Sequence, residues 1–428
     1  MIGDRIKELR IEKDLSVEEL ADGILSPKYI QDIEHNIRHI PDDILPELAS
    51  RLGTSVDSLL GIEKETNIRK ANELLDSALR YTYRDLLDLA KDNILQAKGL
   101  EADFSKELRV KLSLVECLTL IKEEEIDDAY NLIQSLDSVD VERYNDLYFI
   151  YLRIYGVIHF YREEFWKAIM SFHQAINVKV NFEKHPFEVG VSYFNLGMTY
   201  AYIGNLSWGE QHLKKAESIF QDIGEIKQLT DTYINLGNIY YRRRDYEDAL
   251  DIYKKAQNLL IYNSDLRTSS FIFNNIGLVY LELKNFKKAI EYGTRSLSLK
   301  KKLNSFPTDI MNTLEILTKS HLYSNEKEMA EFYIKEIQSY LPKVTTSMTK
   351  GHSYATIASY YKTIGNTAKY IEFLNGSIDT FINAELLYYA AKYAYELGKE
   401  TGNQELICKS ASLFYQYHHK LENKEGGN

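Results

Sequence analysis

One interval constrains this chain more than any other feature: about 40 residues. The segments "YFNLGMTYAYIGNLSWGEQHLKKAESIF" (193–220), "YINLGNIYYRRRDYEDALDIYKKAQNLL" (233–260) and "FNNIGLVYLELKNFKKAIEYGTRSLSLK" (273–300) share one pattern. Asn195, Asn235 and Asn275 stand in step, as do Gly197, Gly237 and Gly277, and Tyr200, Tyr240 and Tyr280. Ala249 and Ala289 match, with Gly209 in the same register. Upstream the phase continues through Gly156, Ala168 and Ala175, then through Cys117 and Ala129. Downstream it continues through Thr318, Ala330 and Ala358. Successive copies of the small residue are 39, 41, 40, 40, 41 and 40 positions apart, seven copies between about 109 and 382. A fixed period of this length means a stacked array, because no single unit can bury its apolar face alone.

Only 6 of 428 residues are proline, which favours helices over turn-rich sheet. Pro186, Pro307 and Pro342 fall between the motifs, where they break nothing. Small residues belong where two antiparallel helices approach closely, and Tyr and Leu fill the space between neighbouring pairs. The order aromatic or Leu, Leu-Gly, Tyr, Ala, aromatic, Ala resembles the tetratricopeptide repeat, whose usual period is about 34 residues. The longer period here predicts longer helices or connections. A degenerate helical pair is expected at 67–100 and another at 384–421, since array ends face water. That gives about eight or nine pairs over 67–421, with 422–428 ("ENKEGGN") as a disordered tail.

Composition excludes several classes. Apolar residues make up 44% and charged residues 27%, which predicts a packed core. Cys117 and Cys408 cannot make a disulfide framework and suit a reducing cytosol. The charged start "MIGDRIKELR" has no apolar signal core, and no run of 18 apolar residues exists, so a cytoplasmic chain without membrane contact is expected. No phosphate-binding glycine loop, HExxH or GxSxG occurs. The chain reads as a non-enzyme without cofactor or metal. Cys117 occupies a packing position, and His418-His419 point in different directions on a helix. The acidic run at 122–129 lacks the spacing of a calcium loop.

Residues 1–66 are outside the period. Ile2, Ile6 and Leu9 mark one helix face; Ser16 and Glu19 form a capping box ahead of buried Leu20 and Ala21. Asp22-Gly23 is a turn signal, and Ser26-Pro27 opens a third helix through Glu34. A fourth helix is expected from Asp42 or Asp43, and a fifth around Val56, Leu59 and Leu60. Five short helices with a glycine turn between the second and third form a helix-turn-helix pattern. "RIKELR", "LSVEELADGILSPKYIQDIE" and "LASRLGTSVDSLL" resemble the phage Cro/C1 repressor domain, in which the third helix enters the DNA major groove. That resemblance places Ser26, Lys28, Tyr29 and Gln31 toward DNA, with Arg38 among the cations available for phosphates. Two features depart from it. Val17 stands where a glutamine is common, and residues 1–66 carry 8 Lys+Arg against 15 Asp+Glu, a net −7 of the chain's −11.

The two parts together resemble the peptide-pheromone regulators of Gram-positive bacteria, the Rgg/Rap/NprR/PlcR/PrgX group, with the NprR-like branch nearest in length and repeat number. The resemblance implies an all-α chain in which a five-helix helix-turn-helix domain precedes a right-handed superhelical repeat solenoid. It further implies a short signalling peptide bound inside the solenoid, operator DNA, and a homodimer or higher homo-oligomer. A response regulator is the implied partner where a relative acts as Rap-type proteins do. The residues give a peptide groove independently. Asn195, Asn235 and Asn275 lie two positions before their glycines, on the inner side of the first helix of each pair, and Asn238 faces the same way. Amides offer a donor and an acceptor and can hold an extended backbone without reading its side chains. Tyr202, Tyr241 and Phe194 can line apolar pockets, and Arg242 or Arg153 can meet a carboxylate. The same amides can instead bridge neighbouring helices.

Overall fold

A computed structural model describes residues 2–136, 138–178, 185–262 and 265–425, with no β-strand among them. The chain divides into two compact units, Met1–Glu188 and Val189–Asn428. The first opens with α1 (Ile2–Glu12), α2 (Val17–Ala21), α3 (Pro27–Glu34), α4 (Leu45–Arg51) and α5 (Val56–Leu60). Three helix pairs follow: α6 (Ile62–Tyr83) with α7 (Leu87–Lys98), α8 (Lys106–Lys122) with α9 (Ile126–Gln134), and, after short α10 (Ser138–Glu142), α11 (Asn145–Tyr161) with α12 (Phe165–Asn177). The second unit takes up most of α13 (Pro186–Tyr202), paired with α14 (Leu206–Ile223). It continues with α15 (Ile226–Arg243) and α16 (Tyr246–Leu259), α17 (Leu266–Glu282) and α18 (Phe286–Lys302), and α19 (Pro307–Tyr323) and α20 (Lys327–Tyr340). It ends with α21 (Ser347–Thr363) and α22 (Thr367–Asn383), then α23 (Leu387–Thr401) and α24 (Gln404–Glu425). The last helix thus runs into the segment read as tail, of which 426–428 lie outside the described residues.

The period has a backbone cause. Seven first helices end on a left-handed residue: Glu124, Glu163, Gly204, Arg244, Lys284, Asn325 and Gly365, with φ of 66, 61, 93, 67, 57, 60 and 80°. Their separations repeat those of the small residues. Asp85, with φ 58°, closes α6 in the same way and brings that divergent pair into phase. The left-handed turn reverses the chain and lets the second helix fold back on the first.

Close approach explains the small residues. A Cβ on Gly237 would lie 2.5 Å from Tyr253 Cε1, one on Gly156 2.6 Å from Phe172 Cε1, and one on Gly197 2.9 Å from the Leu213 main-chain nitrogen. Ala129, Ala168, Ala249, Ala289 and Ala330 are all fully buried. Cys117 is buried as well, and burial pushes its thiol up to about 12, as befits a packing residue. Pro186 and Pro307 start their helices, where a missing N–H costs nothing.

In the N-terminal bundle, Ile6, Leu20, Ala21, Ile30, Ile33, Leu48 and Leu59 form the core. The Ser16–Glu19 capping box is present, and Ser26 caps α3 with Pro27 at its first position. Gly23 sits at φ 71°, as the turn requires. The fourth helix starts at Leu45, later than Asp42 or Asp43, because residues 42–44 form a tighter turn in which the Ile44 N–H donates to the Pro41 carbonyl. Val17 packs against the core, so the residue that replaces glutamine there supports the bundle. Arg10 joins α1 to α3 by a two-pronged pair with Glu34, at 2.6 and 3.0 Å, and donates to the Leu15 carbonyl.

In the second unit, the aromatic residues near the C-terminus turn inward. Leu387 is buried, and Tyr393 packs with Phe381 and Tyr389 around His352 on α21, while Tyr388 remains 45% exposed. Burial, with Lys319 and Lys392 nearby, pushes His352 down to about 4; the Tyr393 hydroxyl lies 3.2 Å from its Nδ1. The folded pKa is depressed, so this contribution to stability is complete above about pH 6.5 and is lost as pH falls through 4. Unfolding at pH 7 and pH 4 is expected to show an acid loss of about 3 kcal/mol that His352→Gln removes; an equal loss in the variant would place the acid sensitivity elsewhere.

Candidate functional site

The exposed surface of α3 carries Lys28 and Gln31, neither with a side-chain partner among the described residues. Ser26 is exposed, but its hydroxyl accepts from the Tyr29 N–H at 3.3 Å, so its first role is the cap. Tyr29 is half-buried; its hydroxyl lies 3.4 Å from the His39 carbonyl, and the Arg38 guanidinium stands 4.8 Å over its ring. Arg38 also pairs with Asp32 at 3.4 Å. Contacts therefore join Ser26, Tyr29 and Arg38, while Lys28 and Gln31 remain uncommitted on the exposed surface of α3. Two other cations are spent elsewhere: Arg10 on Glu34, and Arg51 on the carbonyls that end α2 and on Glu47.

In the second unit, Asn195, Asn235 and Asn275 sit at equivalent places on α13, α15 and α17, each half-buried. They differ in what they hold. The Asn195 side chain has no partner among the described residues, and Asn235 Nδ2 donates to the Asp231 carbonyl of its own helix at 2.9 Å. Asn275 Nδ2 donates across to Asn238 Oδ1 at 3.3 Å, and the Tyr253 hydroxyl donates to the same oxygen at 2.6 Å. Asn275 thus spends both ends of its amide, bridging to Asn238 and accepting from Asn274 Nδ2, while Asn238 bridges through its oxygen and its nitrogen has no partner among the described residues.

The charged and aromatic candidates divide. Arg242 is exposed and donates to the Ala201 carbonyl at the end of α13. Arg243 pairs with Glu210, which Lys214 and the Tyr240 hydroxyl also engage; these donors outweigh burial and hold that carboxyl at about 2. Tyr202 is 61% exposed, and the Tyr241 hydroxyl reaches Glu282 at 3.4 Å. Arg153 belongs to the other compact unit, buried on α11, where it donates to the Tyr83 hydroxyl and stacks 5.3 Å over that ring. The structure gives it a partner on α6 in place of a ligand carboxylate.

Sequence reasoning missed two features. The first unit holds a cavity of ≈ 650 Å³ lined by Asn72, Asp76, Lys111, Asn145 and His185 among others. The second is Lys300, fully buried on α18, whose ammonium reaches Asn274 and Thr313. Lys300 lies in a run of three lysines, which reads as a solvated helix end; the only sequence sign is the doubled Asn274-Asn275.

Comparison with known proteins agrees with these modules. A helix-turn-helix family model matches residues 6–59 and a tetratricopeptide repeat family model matches 228–302. The chain is 21% identical to the transcriptional activator NprA of Geobacillus stearothermophilus over 424 residues, 94% of this chain and 95% of that one. The crystal structure of apo RapI superposes with a TM-score of 0.67 at 17% identity, covering 83% of this chain and 99% of that one. NprR in complex with its cognate peptide NprX superposes with a TM-score of 0.55 at 15% identity, covering 82% and 99%. The class is therefore a helix-turn-helix domain joined to a tetratricopeptide-repeat array. Within that class the resemblance to the Rgg/Rap/NprR/PlcR/PrgX group, read above from the repeat phase and the N-terminal motifs, holds over nearly the whole chain.

Proposed function

We propose that this protein is a cytoplasmic transcription regulator that binds a short extended peptide along the asparagine row and thereby alters DNA binding by α3. One observation carries the reading: an uncommitted pair, Lys28 and Gln31, on a capped helix-turn-helix α3 shares a chain with in-register amides that keep unspent hydrogen-bonding capacity. The named activity of the full-length relative and the peptide held by NprR support it. In this reading Asn195, Asn235, Asn238 and Asn275 hold peptide backbone, Tyr202 bounds a side-chain pocket, and Arg242 meets a carboxylate. Arg153 serves the fold. Ser26, Tyr29 and Arg38 brace the reading head, Lys28 holds phosphate, and Gln31 reads a base edge. The protein works as a homodimer or higher homo-oligomer, since paired half-sites need paired domains.

The test captures sheared DNA from the source organism on the purified protein at low and moderate salt. It is run with and without a small-peptide extract of spent medium. A recurring two-fold symmetric site, changed in occupancy by the extract, is expected. Gln31→Ala is expected to weaken that site by about tenfold without lowering the melting temperature. The absence of an enriched site at either salt would overturn DNA reading by the acidic bundle and turn the search to a protein partner such as a response regulator.

A further inference from the structure

The asparagine row does not end at Asn275. Asn274 Nδ2 donates to Asn275 Oδ1 at 3.4 Å, and beyond Asn274 lies the buried ammonium of Lys300. Lys300 Nζ makes three hydrogen bonds, all to neutral acceptors: the Asp309 carbonyl at 2.8 Å, Thr313 Oγ1 at 2.8 Å and Asn274 Oδ1 at 3.3 Å; it also stands 5.5 Å over the Phe271 ring. The Thr313 hydroxyl donates to Asn274 Oδ1 at 2.7 Å. A continuous polar chain therefore runs Lys300–Thr313–Asn274–Asn275–Asn238–Tyr253, linking α16, α15, α17, α18 and α19.

We propose that the Lys300 ammonium sets the direction of this chain, so that the row presents amide donors, Asn238 Nδ2 foremost, to the carbonyl oxygens of a bound peptide backbone. This rests on the peptide reading above and specifies which face of the ligand the site takes. An ammonium has three donors and no acceptor. It compels Asn274 to turn its oxygen inward, which leaves Asn274 Nδ2 to donate onward. Asn275 must then accept from Asn274 and donate to Asn238. Asn238 Oδ1 receives both Asn275 and the Tyr253 hydroxyl, and its nitrogen has no partner among the described residues. The reversed chain would turn the Asn274 N–H groups toward a buried cation, donor against donor, where low local polarity makes the conflict most costly. The end at Lys300 therefore decides the end at Asn238. Burial lowers the Lys300 pKa to about 8, partly offset by the Asp309 carboxylate, and the ammonium form persists at neutral pH. Asn195, outside this chain, keeps either amide face available and can serve a backbone N–H or a C=O.

The experiment passes a random-sequence synthetic heptapeptide mixture with free termini over immobilised full-length protein. Retained peptide is quantified by mass spectrometry, and each variant's melting curve is recorded. Wild type and Lys301→Met, an exposed neighbour that pairs with Glu336, are expected to retain peptide equally. Asn238→Asp keeps the size and the acceptor for Tyr253 but removes the outgoing donor; retention is expected to fall by about tenfold or more. Lys300→Met removes the directing charge while keeping volume. It is expected to melt no lower than wild type, since a buried charge without an ionic partner is lost, and to retain several-fold less peptide. Should Asn238→Asp melt lower than wild type, Lys300→Met decides. Wild-type retention by both variants would overturn the directed chain while leaving the peptide groove standing. Retention by wild type no greater than by blank resin would overturn the groove itself, and this inference with it.

Discussion

Glu34→Ala is expected to unfold the N-terminal bundle. Glu34 is 4% exposed and meets Arg10 through both carboxylate oxygens, while Arg10 Nη1 also holds the Leu15 carbonyl at the turn into α2. Truncation leaves the half-buried Arg10 guanidinium without its two-pronged partner, and breaking such a pair from one side costs about 3–5 kcal/mol when it is fully buried. A bundle of this size has little more than that to lose. The loss is checked by limited proteolysis, which should cut selectively within α1–α5, and by an early transition in chemical unfolding. DNA capture should vanish in parallel, although Glu34 itself faces inward. An unchanged first transition would mean that Arg10 finds water or another acceptor as readily as it found Glu34. Because the pair joins α1 to α3, it also fixes the angle at which α3 stands, so stability and DNA reading are expected to fall together.

Gly237→Ala is the second large effect, expected to lower stability by about 1–3 kcal/mol. The added methyl would lie 2.5 Å from Cε1 and 2.7 Å from Cδ1 of Tyr253, and that ring is 2% exposed and cannot swing into solvent. Either α15 and α16 separate or the ring moves. If the ring moves, the Tyr253 hydroxyl leaves Asn238 Oδ1, which frees the amide to rotate. The substitution is thus expected to reduce peptide retention more than its stability cost alone explains. Thermal unfolding and the heptapeptide mixture give the two readings. A wild-type melt would show that the pair tolerates a wider spacing and that the glycine at this phase is not required by packing. Gly23 offers a contrast: a Cβ there meets nothing within 4 Å, and the residue answers to its φ of 71° alone.

Particular residues show why some of this was legible in advance. The repeat could be read because helix pairing is the same local problem solved seven times: a left-handed turn and a small residue at the crossing, with an alanine opposite in five of the seven copies. Each solution leaves a mark at a fixed interval. The caps at Ser16 and Ser26 could be read because an N-cap acts within three residues of itself. The start of the fourth helix could not, since Asp42 and Asp43 are good caps and the later start goes with the 42–44 turn and the packing of Leu45 and Leu48 in the core. Arg153 looked available for a carboxylate because its helix position suited it. Its actual partner, Tyr83, lies 70 residues away on a helix whose repeat phase had faded.

The sequence by itself determined the architecture and the exposure of Lys28 and Gln31 on a capped α3, because periodic packing and capping are short-range and write themselves into residue order. The tertiary structure alone decided which polar groups remain unspent. Lys300 lies in a triplet of lysines that any reading of charge would leave in water, yet it is buried against α17 and α19 while Lys301 beside it pairs with Glu336. The direction of the amide chain follows from that burial, and burial is settled by neighbours that lie 9 to 26 residues away.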